Sequence, residues 1–345
     1  MKIAFITGIT GQDGSYLSEL LLEKGYKVYG IVRRNSMLYT YTRIEHIREK
    51  LNLMYGDLTD SLSISSVLST ILEENGYENI EVFEIYNLGA QSHVKVSFEV
   101  PKYTTDVDAM GCLNILDIVK ALPKNVQNKI RLYQAGTSEM YGKVLETPQS
   151  ETTPFNPMSP YGCAKVYSHY MMKIYREGYN LHASNGILFN HESSRRGKNF
   201  VTMKIIDGVK NILKDDKYVL KLGNLNSYRD WGHTKDYVRG MWLILQQDKP
   251  DDYVLATGQK YTVREFVERT LEKVGIEYEW EGKGVDELCK DKKSGRVIIK
   301  IDECFFRPCE VDLLLGDSTK ARDVLGWNPE FDLDGIIDEM LKNSD

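Results

Sequence analysis

The first 34 residues leave little choice of fold. KIAFITG is a short apolar run ending in glycine, GITGQDG spaces Gly8, Gly11 and Gly14 three apart, SYLSELLLEKG carries apolar residues at helical spacing, and KVYGIVRR is a second apolar run. Strand, glycine-rich turn, helix and second strand within about 30 residues is the opening unit of a doubly wound parallel sheet. Glycines there close the turn tightly and let backbone approach a pyrophosphate, with Gln12 and Asp13 between them, while the helix N-terminus offers free N–H groups and the positive end of its dipole. An ordinary βα turn can carry the same spacing; its place between a strand and a helix favours a dinucleotide site.

The alternation continues. Further strands are expected at LNLMYGDL, EVFEIYNLGA, IRLYQAGTS and LHASNGILFN, and helices at SISSVLSTILEENG, TTDVDAMGCLNILDIVKAL and YGCAKVYSHYMMKIYREGY. Strand and helix alternating to about residue 190 argue for a parallel sheet. The expected fold class is therefore α/β, a Rossmann-type doubly wound parallel sheet with a smaller C-terminal lobe. NHESSRRGKNF reads as a polar, basic loop. Beyond it, VTMKIIDGVKNIL and DYVRGMWLILQQ read as helices, YVLATG as a strand and DGIIDEMLKN as a final helix, while 279–303 gives no clear reading. The expected division is a dinucleotide-binding domain over 1–190 and a substrate-binding lobe over 191–345, with 231–257 returning to the first.

Composition narrows the function classes. With 345 residues, 42% hydrophobic and 27% charged, the chain has ordinary globular usage. No segment approaches the ~20 apolar residues of a membrane span, and the N-terminus starts a strand at once, so a soluble, cytoplasmic chain is expected. A net charge of −6 without a basic block speaks against nucleic acid. Five cysteines without CxxC spacing and six scattered histidines predict neither metal nor disulfide framework.

The end of the second strand indicates which dinucleotide. An NAD site usually places an acid about 20 residues past the turn for the ribose hydroxyls. Here the chain reads Arg33, Arg34, Asn35, Ser36, with no acid. Two guanidinium forks and a hydroxyl suit a 2′-phosphate, which favours NADP over a merely solvated basic turn. Asp57 and Leu58 after the third strand, and Leu88, Gly89 and Ala90 after the fourth, fall where βα loops cover a dinucleotide.

Chemistry enters with SPYGCAK. Tyr161 and Lys165 are four apart on one helix face. A nearby ammonium and a positive nicotinamide both favour the phenolate, so the Tyr161 pKa is expected below the ordinary ~10. Such a tyrosine takes a proton from an alcohol as hydride leaves the same carbon. YxxxK alone is common; the fingerprint upstream and Thr137 at a preceding strand end give it weight. GTSEMYG adds Glu139, a carboxylate that simple hydride transfer does not need, unless it is only a surface acid at a strand end.

These motifs, with YNLGAQSHV, AGTSEMYG, LFNHES followed by RRGKNF, and RPCEVD, resemble the extended short-chain dehydrogenase/reductases in their nucleotide-sugar dehydratase and epimerase branch, over nearly the whole chain. The likeness is greatest to members that act on GDP-mannose, and it implies GDP-mannose as the substrate and dehydration as the reaction. It implies Thr137, Glu139, Tyr161 and Lys165 as the active set. It implies NADP against Gly8 to Asp13, Arg33 to Ser36, Asp57, Leu58, the run Leu88, Gly89, Ala90, Gln91 and Ser92, then Tyr103, Lys165, His191 and Arg196. It also implies a homo-oligomer, dimer or tetramer, built partly by the RRNS loop.

A nucleotide diphosphate is an anion, so an acidic chain must gather cations locally. Arg195, Lys198, Lys204, Arg229 and Arg307 are the candidates, against a reading as scattered surface charge. The resemblance adds Asn190 near the sugar, Gly223, Asn224 and Leu225 near the nucleoside, and Arg307 and Glu310 on phosphate and ribose. Two rivals stand beside dehydration: a nucleotide-sugar 4-epimerase or 4-ketoreductase on the same scaffold, which Glu139 disfavours, and an NADP-binding sensor or scaffold, which an intact Thr137, Tyr161 and Lys165 disfavour.

Overall fold

A computed structural model of the chain describes residues 1–34, 41–306 and 309–343; Asn35, Ser36 and Arg307 lie outside them. The chain opens with β1 (Lys2–Thr7), α1 (Gln12–Glu23), β2 (Lys27–Val32), β3 (Asn52–Tyr55), α2 (Ser61–Asn75) and β4 (Val82–Asn87). It continues through α3 (Gly111–Ala121), β5 (Ile130–Ala135), α4 (Pro160–Tyr179), β6 (His182–Leu188), α5 (Val201–Lys214), α6 (Thr234–Gln246) and β7 (Asp252–Leu255). The seven strands form one sheet in the order β7-β6-β5-β4-β1-β2-β3, every pair parallel. This is the Rossmann-type doubly wound sheet that the alternation predicts.

β1 and β2 are buried at every position after the first, which is why they read as unbroken apolar runs: helices cover both faces. On one face Tyr16, Leu17 and Leu21 of α1 pack with Tyr237, Met241 and Leu245 of α6. On the other, Ile64, Leu68 and Ile71 of α2 meet Ile115, Leu116 and Val119 of α3 and Met172 of α4. Because β1 lies between β2 and β4, the order reverses there, and the crevice at the C-terminal ends of those strands is the expected ligand position.

The segment after residue 230 returns to this sheet. α6 packs beside α1, and β7 extends the sheet beyond β6. A second core, with Ile205, Ile206 and Val209 of α5, Phe266, Ile299 and Ile336, supports a four-stranded sheet of Tyr278–Glu281, Leu288–Asp291, Val297–Ile301 and Leu220–Leu222. Three of those strands fall in or beside the stretch that gave no reading. Tyr278–Glu281 alternates half-buried and exposed residues, YEWE, so local hydrophobicity carries no strand signal.

NHESSRRGKNF is not wholly a loop. Asn190–Glu192 is a short strand pairing in parallel with Trp231–His233, a contact across 40 residues that local composition cannot announce. The helix expected at TTDVDAMGCLNILDIVKAL contains α3, preceded by a π-helical turn at Asp106–Met110. Among the described residues no helix is long and apolar enough to cross a membrane.

Candidate active site

The glycine-rich turn is packed closer than side chains allow. Gly8 has φ +71°, and a Cβ there would lie 2.8 Å from the Gly89 nitrogen; a Cβ on Gly14 would lie 2.4 Å from the Gly8 carbonyl oxygen. The loop after β4 and the start of α1 therefore close on a bare backbone cradle. Buried polar side chains fix the strand ends beneath it: Thr7 Oγ1 donates to Asn87 Oδ1 (2.7 Å) and accepts from Gly89 N (2.9 Å), and Asn87 Nδ2 donates to Gln134 Oε1 (2.7 Å). Tight glycines before a helix N-terminus are what a dinucleotide pyrophosphate requires, so the residues present fit one.

A cavity of about 600 Å³ runs from this cradle to the second core. Gly8, Gly11, Gln12, Asp13, Gly14, Arg33, Asp57, Leu58, Leu88, Gly89, Ala90, Ser92, Tyr103, His191 and Arg196 line one end. Asn190, Lys204, Gly223, Asn224, Arg229 and Glu310 line the other, and Thr137, Glu139, Tyr161 and Lys165 lie in the wall between them. Three expected residues do not line it. Arg34 turns out to the Tyr55 hydroxyl (3.3 Å). Gln91 braces its own loop, its side chain donating to the His93 carbonyl and Thr104. Leu225 belongs to the second core. Of the candidate cations, Arg195 stacks over Tyr16 and pairs with Glu19 at 2.6 Å, and Lys198 is exposed and off the cavity.

His191 joins the two ends. Its Nε2 is 2.9 Å from Asp13 Oδ2, its Nδ1 2.8 Å from the Phe189 carbonyl, and its ring stacks on Tyr237. Burial opposes both charges of the pair, yet their mutual attraction and hydrogen bond win: Asp13 is held below the ordinary carboxylate range and His191 above the ordinary histidine value. Arg33 donates to the Tyr103 hydroxyl, and Arg196 pairs with Glu192 at 3.0 Å.

The Tyr161–Lys165 face starts where sequence chemistry dictates. Ser159 caps α4 by accepting from Gly162 N, with Pro160 at the first helical position. Both side chains are buried, at 8% and 2% exposure. Lys165 Nζ donates to the Ala135 carbonyl (3.0 Å) and sits 5.8 Å from the Tyr161 ring centroid. Thr137 lies at the end of β5, hydrogen-bonded to Tyr161, and its Oγ1 accepts from Glu139 N (3.3 Å). The expectation of a lowered Tyr161 pKa is overturned for the protein groups alone. Burial, then the charges of Asp108 and Glu139, push the phenol well above its ordinary value, outweighing the Thr137 hydrogen bond and Arg196. Lys165, committed to a carbonyl across the ring's width, does not offset this.

At the far end Arg229 and Glu310 pair at 3.4 Å. The Asn190 Oδ1 and Lys204 Nζ atoms are buried without hydrogen-bond partners among the described residues. Lys204 lies 3.0 Å from the Phe305 ring centroid, and burial draws its pKa down to about 8. The sequence reading missed Lys95, which lines the cavity and donates to the Cys304 carbonyl, and Arg43. Arg43 donates to the carbonyls of Arg195 (2.7 Å) and Thr10 (3.4 Å) and has no carboxylate partner among the described residues. It stands in YTRIEHI, an unpatterned segment whose only available signal was a third arginine soon after the Arg33–Arg34 pair.

Comparison with known proteins shows the same identity from end to end. The family model for GDP-mannose 4,6-dehydratase matches residues 5–340. The human GDP-mannose 4,6-dehydratase is 51% identical over 348 residues, covering 99% of this chain and 90% of its own. The Yersinia enterocolitica protein of that name is 51% identical, covering 99% and 93%. Among solved structures, UDP-glucose 4-epimerase of Thermus thermophilus, in complex with NAD, overlays with a TM-score of 0.77 at 20% identity, covering 99% of this chain and 98% of that one. The dTDP-glucose 4,6-dehydratase of Bacillus anthracis, also with NAD, gives 0.77 at 19%, covering 99% and 96%. At that identity the two overlays speak for the fold, whereas half-identity over nearly the full length places the chain in the GDP-mannose 4,6-dehydratase family.

Proposed function

We propose that the chain removes water from GDP-mannose to give GDP-4-keto-6-deoxy-mannose, using a nicotinamide dinucleotide bound in the glycine cradle. The observation that carries this reading is a carboxylate, Glu139, in the same cavity wall as Thr137, Tyr161 and Lys165, between a dinucleotide cradle and a polar second end. Full-length relatedness to proteins of that name supports it.

The dinucleotide is NADP. Arg33 and Arg43 line the cradle end, Arg43 has no carboxylate partner among the described residues, and the second strand ends without an acid. A guanidinium without a carboxylate partner among the described residues suits a phosphate monoester. When bound, the dinucleotide supplies the hydride acceptor and donor and a further positive charge beside the phenol.

Tyr161 takes the proton from the sugar O4 as C4 is oxidised, and Thr137 donates a hydrogen bond where negative charge develops on that oxygen. The 4-ketone makes the C5–H acidic, because the carbanion delocalises as an enolate. Glu139 takes that proton and delivers it to the C6 oxygen, which leaves as water. Tyr161 returns its proton at C5 as hydride arrives at C6. Asn190 and Lys204 present polar atoms unsatisfied among the described residues for the sugar and the diphosphate, and Arg229 and Glu310 hold the nucleoside end. The molecule works as a homo-oligomer in the cytoplasm.

The test is GDP-mannose carrying deuterium at C4. The label is expected at C6 of a product lighter by one water. Label lost to solvent, or a product of unchanged mass as an epimerase would give, overturns the reading.

A further inference from the structure

Asp108 is the carboxylate that the chemistry above leaves unused. It sits in the π-helical turn Asp106–Met110, an interruption of helix geometry frequent at functional sites. The side chain is 1% exposed. Oδ1 accepts from Gln91 N (2.7 Å), while Oδ2 is buried with no hydrogen-bond partner among the described residues. The Asp108 carbonyl accepts from Ser168 Oγ (2.6 Å). Ser168 is three residues beyond Lys165 and seven beyond Tyr161, so Asp108 is fastened to the very face of α4 that carries both.

A buried carboxylate with a bare oxygen is expensive unless a charge answers it. The cation whose charge acts on Asp108 is Lys165, itself buried and, among the described residues, hydrogen-bonded to the Ala135 carbonyl. The other titratable groups around it are Tyr161 and Cys112; burial pushes the Cys112 thiol up to about 12, so it stays neutral.

We propose that Asp108 is a positioning residue: the buried counter-charge behind Lys165, whose ionisation sets the pH at which Tyr161 can accept a proton. This rests on Tyr161 being the base of the proposed reaction. Burial raises Asp108 to about 6, with Lys165 and the Gln91 N–H pulling it down. Above that pH a negative charge stands near the phenol and disfavours phenolate. Below it the charge disappears and the ammonium acts unopposed. The carboxyl thus buffers the base against acid. On Tyr161 itself Glu139 adds to the hindrance, while Arg196 and Thr137 oppose it; none of these changes when Asp108 is replaced.

Asp108→Asn keeps the shape and the acceptor for Gln91 while deleting the charge. With saturating GDP-mannose and NADP, the acid limb of kcat should move down by about one pH unit, because a like charge near the base has been removed. NADP affinity and melting temperature should stay near those of the parent. A residue that only braced the 88–92 loop would lower kcat at every pH and leave the limb in place. A limb that stays put, or moves upward, overturns the proposal. A second measurement does not depend on that variant folding. In 13C-carboxyl aspartate NMR of the holoenzyme, two buried carboxyls, those of Asp108 and Asp230, should titrate near pH 6, and the midpoint of one of them, not both, should rise in Lys165→Met. Two midpoints indifferent to Lys165 also overturn the proposal. Tyr161→Phe separates the two readings: dehydration at the parental rate in that variant would remove the tyrosine as base, whatever Asp108 does.

Discussion

Thr137 caps, and Glu139 lies within, a single turn, Ser138–Met140, at the end of β5. That turn packs under the first residues of α4: a Cβ on Gly162 would lie 2.8 Å from the Glu139 carbonyl oxygen. The acid is thus held by backbone on both sides, and a neutral isostere can occupy its place without moving Tyr161. Glu139→Gln should cut product formation by at least ~100-fold, the range a positioned general base contributes. Reduction of the bound nicotinamide dinucleotide in a single turnover should persist, because in the proposed mechanism the first oxidation uses Tyr161. Nicotinamide absorbance and product mass read the two halves separately; normal dehydration would end the assignment. The proposed catalytic residues were legible in the sequence because each lies within a short motif at the end of one element. Asp108, Arg43 and Lys95 were not. Each reaches the site through packing of distant segments, and in sequence each is one more charge among 94 basic and acidic residues.

Elements pair here through buried polar contacts as well as apolar ones. Glu84 of β4 is fully buried and accepts from the Tyr26 hydroxyl (2.9 Å), the Tyr86 hydroxyl (2.7 Å) and Gln246 Nε2 (2.9 Å). Trp242 Nε1 lies 3.3 Å from the Tyr26 hydroxyl. The returning helix α6 is therefore joined to the sheet through one carboxylate. Glu84→Ala strands two buried hydroxyls, removes one acceptor from the half-buried Gln246 amide and opens a cavity, and should destabilise the protein by about 3 kcal/mol in urea unfolding. A change below ~0.5 kcal/mol, the size of an ordinary surface substitution, would mean that the helix is held by its apolar face alone. Strands and helices of the parallel sheet were readable because burial on both faces leaves apolar runs. The four-stranded sheet was not, since its outer strand carries charge on alternate residues and takes its register from partners elsewhere in the chain.

At the scale of the whole molecule, the cavity depends on how the segment after β6 meets the glycine-rich turn. Asp13 and His191 make that junction, reinforced by Gln12, whose side chain donates to the His191 carbonyl (3.1 Å) and accepts from Ser193 Oγ (2.8 Å). The pair has a definite pH signature. His191 is raised in the folded protein, so its contribution is whole below the unfolded value of ~6.5 and fades as pH climbs through the higher folded value. Asp13 is lowered, so its contribution is whole above ~3.9 and fades as pH drops through the lower folded value. The junction should therefore stabilise most between about pH 4 and 6.5. Urea unfolding of the parent and of His191→Gln across pH 3 to 9 (roughly the span of both titrations) gives the difference directly. It should be greatest in that window and shrink on either side. A difference that is level with pH would mean that stacking on Tyr237 and the Phe189 contact, rather than charge, hold His191 across the junction.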